Sequence, residues 1–262
     1  MNFRKVIAST GLVGALIFTS ACSAPEAASP TADASPSTAA STASAAPTAD
    51  TVSVKMPDGI VAKGVASDGV GSYLQTSISD DDPAMKYNPA IVDEAAKAHY
   101  SEEELAEAQK VVVKFIAEEA IDSTLNGGVG DIDVWWNAHK DQIHPLNHDI
   151  MLADMKKADT DVLARELWIL ERPGYSYAHG ADTPRVTART ITPIASRYVE
   201  SDNLQGVMID TNVSYSMAVT KEGAMDSTQN STGEISFAVA KDPADGKWKI
   251  AGYNTNYHTL EG

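Results

Sequence analysis

One cysteine, Cys22, is all that 262 residues provide. No intramolecular disulfide can form, so the domain is held by its core alone, and no pair of thiols exists for redox chemistry. Long hydrophobic runs are missing too. The N-terminal apolar segment, Val6 to Phe18, has 13 residues, where a spanning helix needs about 20. Basic residues are scarce, 20 Lys+Arg against 36 Asp+Glu, for a net charge of −16. That balance excludes nucleic acid and a polybasic membrane patch as partners. No Gly-rich phosphate loop, Gly-x-Ser-x-Gly elbow, zincin motif or internal repeat occurs, which removes the commonest motif-bearing hydrolases and nucleotide enzymes.

What is present begins with an export signal. Met1-Asn2-Phe3-Arg4-Lys5 is a short basic region, Val6–Phe18 is the apolar core, and small residues lead to Ala21-Cys22. This is secretory-signal anatomy over residues 1–21. A cysteine directly behind small residues resembles the lipobox of bacterial lipoproteins, in which the thiol is lipidated and becomes the new N-terminus. Thr19 stands where that motif usually carries Leu, and cleavage after Ala21 or Ala24 would instead release a secreted protein. With at least two acyl chains, palmitate among the usual ones, at about 0.8 kcal/mol per buried methylene, the anchor is stable. The expected location is the outer face of the cell membrane, held through Cys22 alone.

Residues 22–50 read as a lipidated cysteine and a tether. Positions 23–50 hold eleven Ala, six Ser, four Thr and four Pro, a composition that cannot bury enough apolar surface to fold. As a flexible chain it would span on the order of 30 Å. Residues 51–88 form an N-terminal extension, in which Pro57-Asp58-Gly59 divides two β-patterned stretches like a small hairpin. Asp80-Asp81-Asp82-Pro83 is a solvated turn lacking the Gly and terminal Glu of an EF-hand loop.

Helical signals start at Asn88-Pro89, a cap followed by Pro at the first helical position. Ser101-Glu102-Glu103-Glu104 is a capping box. Behind it Leu105, Ala108, Val112, Phe115, Ile116 and Ala120 mark one buried face that ends at Asn126-Gly127-Gly128. A further helical stretch is expected from Trp135 to about Arg172, broken at Pro145 and near Thr160, with Leu152, Met155, Leu163, Leu167 and Leu170 as core candidates. From Pro184 the period becomes two. Strands are expected over about 185–199, with Pro193 at a bulge or edge, over 207–219, around Ile235–Val239, and from Lys247 to Tyr253, where Gly252 permits a kink.

Helices followed by long antiparallel strands give an α+β domain over 89–262, N-terminal helices packed on a strongly curved antiparallel sheet in a cone-shaped half-barrel. That element order, with the closing hairpin Asp245-Gly246-Lys247-Trp248-Lys249-Ile250, resembles the nuclear transport factor 2-like superfamily, the cone of ketosteroid isomerases and SnoaL-like proteins. Exported actinobacterial lipoproteins of this build are similar. The resemblance implies a pocket inside the cone, an Asp or His base with Tyr donors in the enzymes, and dimerisation through the sheet face. No local motif transfers a catalytic residue to this chain.

Candidate residues therefore come from position and type. Asp131 and Asp133 precede Trp135-Trp136, where an indole-flanked carboxylate makes a general base and a helix cap is the alternative. Tyr175, Tyr177 and His179 lie in a Gly/Pro-flanked loop, and Tyr215 and Tyr253 lie on strands; with Trp136 they are the candidate pocket lining, packing being the alternative. His139, His144 and His148 do not share a helix across Pro145, so no metal is expected, and no cofactor is called for. The preferred expectation is a non-catalytic module on a lipid anchor, binding a small ligand or a protein. The alternatives are an isomerase- or dehydratase-type enzyme using an Asp or His base, and an accessory subunit of an envelope complex.

Overall fold

The computed structural model describes residues 56–126, 130–157, 174–201, 204–222 and 224–260. Cys22, the signal and the tether fall outside these, as do Leu163, Leu167 and Leu170. Residues 50–262 make one compact unit. No helix among the described residues is long and apolar enough to cross a membrane.

The body is mixed α+β around a strongly curled antiparallel half-barrel, with few helices. Four long strands form it: β5 (Val186–Ser201), β6 (Leu204–Lys221), β7 (Ala224–Lys241) and β8 (Trp248–Leu260). They pair consecutively, β5 with β6, β6 with β7 and β7 with β8, while the short β3 (Tyr175–Tyr177) continues the sheet on the far end of β6. Alternation sets one face inward. Val207, Ile209, Thr211, Val213, Tyr215, Met217 and Val219 are buried on β6, facing Phe237 and Ile235 of β7 across the ladder. Strands of 16 to 18 residues bend where an extra residue interrupts pairing. The register shifts between Pro193 and Ala195 in β5, and between Ala238 and Val239 opposite Gly252.

The helices lie between two sheets instead of leading the domain, which corrects the expectation of N-terminal helices. Among the described residues the first elements are β1 (Ile60–Ser67) and β2 (Ser72–Ile78), an antiparallel hairpin joined in parallel by β4 (Gly180–Pro184). The α-helices that follow are short: α1 (Glu94–His99), α2 (Glu102–Phe115), α3 (Ile132–His139) and α4 (His148–Lys156). Pro145 and the turn Pro145–Asn147 separate α3 from α4.

The longest, α2, starts as its sequence directs. Ser101 Oγ accepts from Glu104 N at 3.2 Å, and the Glu104 carboxylate accepts from Ser101 N at 2.7 Å. The Glu104 carboxyl, also bonded by Lys241, is pulled down to about 2. Leu105, Ala108, Val112, Phe115, Ile116 and Ala120 are all at most 3% exposed. Phe115 meets Phe237 edge-on at 5.3 Å between centroids. At about 1.5–3 kcal/mol per large apolar side chain, this face fixes α2 on the sheet.

Candidate functional site

Beyond Phe115 the helix widens into a π-helical turn, Ile116–Ile121, every residue of it buried. Such turns recur at functional sites. Here the wider turn carries Glu118 and Glu119, and then Asp122, toward the β1–β2 hairpin. A helix end leaves its last carbonyls unpaired, and this one is finished by side chains from distant strands and by Asn126 just beyond it. Arg189 Nη1 donates to Ala117 O at 3.2 Å, Gln75 Nε2 to Glu118 O and Asp122 O at 3.1 Å, Asn126 Nδ2 to Ile121 O at 2.6 Å, and Tyr73 Oη to Asp122 O at 3.0 Å. Positive charge at this end also complements the helix dipole.

Arg185, fully buried, is the centre of the network. Its Nη1 donates to Asp68 Oδ2 at 3.0 Å, and its Nη2 to Ser123 O at 2.9 Å with Asp122 Oδ1 at 3.4 Å. The guanidinium lies over the Tyr73 ring, 3.3 Å from its centroid, with the Tyr177 ring at 5.5 Å. Such stacking on desolvated rings is favourable. Asp122 also accepts from Thr76 N and Thr76 Oγ1, both at 2.7 Å. Burial pushes the Asp122 carboxyl above its ordinary range, against the pull of Arg185. For Asp68 burial is outweighed by bonds from Gly71 N, His179, Val70 N and the Arg185 charge, and its carboxyl sits below the usual range.

A second set of charges adjoins the first. Lys63 Nζ lies 2.9 Å from Glu118 Oε2 and 2.6 Å from Glu119 Oε1. Glu119 also accepts from Trp135 Nε1 at 2.9 Å, with His139 Nε2 at 3.5 Å. Burial works against the Lys63 ammonium, yet the two glutamates outweigh it and raise its pKa. Burial raises Glu119 despite Lys63, and pushes the His139 imidazole down to about 4, with Lys63 adding to the effect. An open groove of about 570 Å³ runs beside this set, lined by Val61, Lys63, Ser77, Asp80, Lys114 and Glu118 among others.

The residues chosen from sequence are scattered by the fold. Asp131 is the N-cap of α3, accepting from Asp133 N and Val134 N, and Asp133 is exposed with its carboxylate 2.6 Å from Lys156 Nζ. Trp136 is buried edge-on against His148. Tyr175 and Tyr177 are on strand β3, not in a loop; Tyr175 lies under Lys221 Nζ at 5.3 Å. Tyr215 is 2% exposed in the core, and Tyr253 packs near Phe237 at 6.5 Å. His144 is buried, and His148 Nε2 bonds to Lys140 O and Ile143 O, each at 3.0 Å, so the three histidines point to different partners.

Of the candidates the fold brings two to one place. His179 Nε2 sits 2.9 and 3.1 Å from the two Asp68 oxygens, and the Tyr177 ring lies 5.5 Å from the Arg185 guanidinium that Asp68 also holds. The chain matches no protein-family model, no curated protein and no solved structure. The network residues Lys63, Asp68, Tyr73, Glu118, Glu119, Asp122, Arg185 and Arg189 escaped the reading from sequence. Two glutamates inside the apolar run Ile116-Ala117-Glu118-Glu119-Ala120-Ile121 were the available signal, since paired carboxylates in a buried stripe require buried cations.

Proposed function

We propose that this protein is a non-catalytic interaction module, lipid-anchored through Cys22 on the outer face of the cell membrane and displayed on its Ala/Ser/Thr/Pro tether. One observation carries the choice of binding over catalysis: the charges the fold concentrates are consumed inside the molecule. Arg185 holds Asp68 and Asp122, Lys63 holds Glu118 and Glu119, and Arg189 bridges the carbonyls of Ala117 on the helix and Ser77 on β2. A general base must reach a substrate proton, and Glu119 and Asp122 have side chains 1% and 0% exposed. The domain is read as a nuclear transport factor 2-like cone with helices on its curved sheet. Its dimerisation through the outer sheet face belongs to the same reading.

The test is made in the host membrane. Labelling with an alkynyl palmitate, fractionation and native mass spectrometry of wild type and Cys22→Ala should show lipid mass and membrane retention for the wild type alone. Crosslinking in intact cells should then join the domain to a protein or a retained small molecule. Retention of the Cys22→Ala protein in the membrane fraction sinks the anchor, and absence of any crosslinked species or bound mass sinks the module.

A second reading has its own support. The His179 side chain is 21% exposed, and buried Asp68 orients its ring, the pairing that sets a histidine's tautomer for proton transfer. An isomerase- or dehydratase-type enzyme built on it loses turnover in His179→Ala while its melting temperature stays unchanged. A melting temperature that falls instead marks His179 as structural.

A further inference from the structure

We infer that the free edge of β1 is a docking site for an extended, cationic segment of a partner protein, which adds to the hairpin as a further strand; this rests on the interaction-module reading. The sheet order is β1–β2–β4, so β1 is an edge strand, and among the described residues nothing pairs with its outer side. An unpaired edge carries a row of backbone donors and acceptors and is the template used in strand addition. Five consecutive residues, Val61 to Val65, are exposed. Consecutive strand residues point to opposite faces, and of these five only the Lys63 side chain is engaged by the domain.

The chemistry of the strand is that of a partnered one. Ile60-Val61-Ala62-Lys63-Gly64-Val65-Ala66-Ser67 has a single charge, and the Lys63 ammonium is drawn away onto Glu118 and Glu119. Edge strands that must stay unpaired carry outward lysines or proline. Instead Val61 and Val65 stand 39% and 63% exposed. One protective device is present, a register shift between Ala62 and Gly64, and it leaves the two ends of the strand available.

Charge decides the kind of partner. The groove beside Val61, Ala62 and Lys63 carries Asp80 and Asp81 at its rim, and no ion pair is formed by either among the described residues. Its two lysines are already engaged, Lys63 at 2.9 Å and Lys114 at 3.9 Å from Glu118 oxygens. On a chain of net charge −16, an edge flanked by Asp80 and Asp81 repels acidic segments and the same edge of a second copy, and attracts basic segments. The occupant is therefore a strand with apolar side chains for Val61 and Val65 and lysine or arginine for Asp80 and Asp81.

The probe is a synthetic heptapeptide of alternating lysine and valine, with a glutamate-for-lysine counterpart, added to the full-length lipidated protein in detergent. Backbone amide exchange is read residue by residue at low salt. The cationic peptide should slow exchange in β1, and Asp80→Asn/Asp81→Asn should weaken its binding about fivefold or more. The acidic peptide should leave β1 unchanged. Val61→Lys/Val65→Lys should abolish the effect; if that variant misfolds, the aspartate pair, which leaves the strand intact, decides.

Equal protection by both peptides, or none by the cationic one, overturns the inference. So does slow exchange in β1 before any peptide is added, which would mean that the chain's own residues cover the edge. A dimer in sedimentation that Val61→Lys/Val65→Lys dissolves would make the occupant a second copy and overturn it likewise. Crosslinks in cells that persist in Val61→Lys/Val65→Lys remove this site and leave the module reading standing. Their absence in wild type removes the module reading itself.

Discussion

Replacing Arg185 with methionine tests whether the network is structural. Methionine nearly fills the volume but leaves Asp68 and Asp122, 2% and 0% exposed, without their shared counter-ion. Breaking a buried pair from one side costs about 3–5 kcal/mol, because an uncompensated charge stays behind. Loss of the bond to Ser123 O and of the stack on Tyr73 keeps the expected cost in that range. Against a total of about 5–15 kcal/mol for a domain, the urea midpoint should fall by more than about 1 M. Trp135, Trp136 and Trp248, all buried, report unfolding by fluorescence. Asp68→Asn/Asp122→Asn/Arg185→Met removes all three charges and keeps the side-chain oxygens that accept from Thr76, Val70 and Gly71. It should recover at least half of the loss. The single variant should also suffer less at low pH, where both carboxylates take protons. A cost under about 1 kcal/mol for Arg185→Met, or a triple variant no better than the single, refutes this account of the network.

Two further outcomes follow from other parts of the structure. The His139 imidazole titrates near 4 when folded and near 6.5 when unfolded; the unfolded chain then binds more protons between those values, so stability falls as pH drops from about 6.5 to about 4, by up to about 3 kcal/mol. Urea midpoints across that window should slope in wild type and flatten in His139→Gln, and parallel profiles would contradict it. A Cβ on Gly206 would stand 2.2 Å from Val239 O. Gly206→Ala should therefore cost about 1–3 kcal/mol in thermal unfolding, and an unchanged midpoint would show that β6 and β7 shift apart freely.

The sequence carried the half-barrel because its signals are local. The capping box at Ser101, the apolar face from Leu105 to Ala120, and the alternation from Val207 to Val219 each specify an element within a few residues, and each is present. Pro193 and Gly252 even marked where the ladder shifts. The network was not legible for the opposite reason. Asp68 meets its partners His179 and Arg185 across 111 and 117 positions, and nothing near either end encodes that meeting. The tyrosines were ambiguous because aromatic residues on strands serve packing and pockets alike; Tyr215 is in the core. Asp131 behaved as the capping alternative had it, while Asp133 lies in the first turn of α3, paired with Lys156.

The two halves of the domain differ in when they can be completed. The strands of the half-barrel join in chain order, so each pairs with a strand adjacent in sequence, closer along the chain than the partners of the hairpin. The hairpin at the other end is synthesised first and finished late. Its seat on the π-helical turn exists once residue 122 has emerged, but the guanidinium that neutralises Asp68 and Asp122 belongs to residue 185. Until that residue and β4 arrive, two carboxylates and the edge of β2 that β4 will cover face the surroundings together. The early chain is then most open to protease, chaperone or strand exchange at its leading end, and the arrival of β4 and β5 closes that interval.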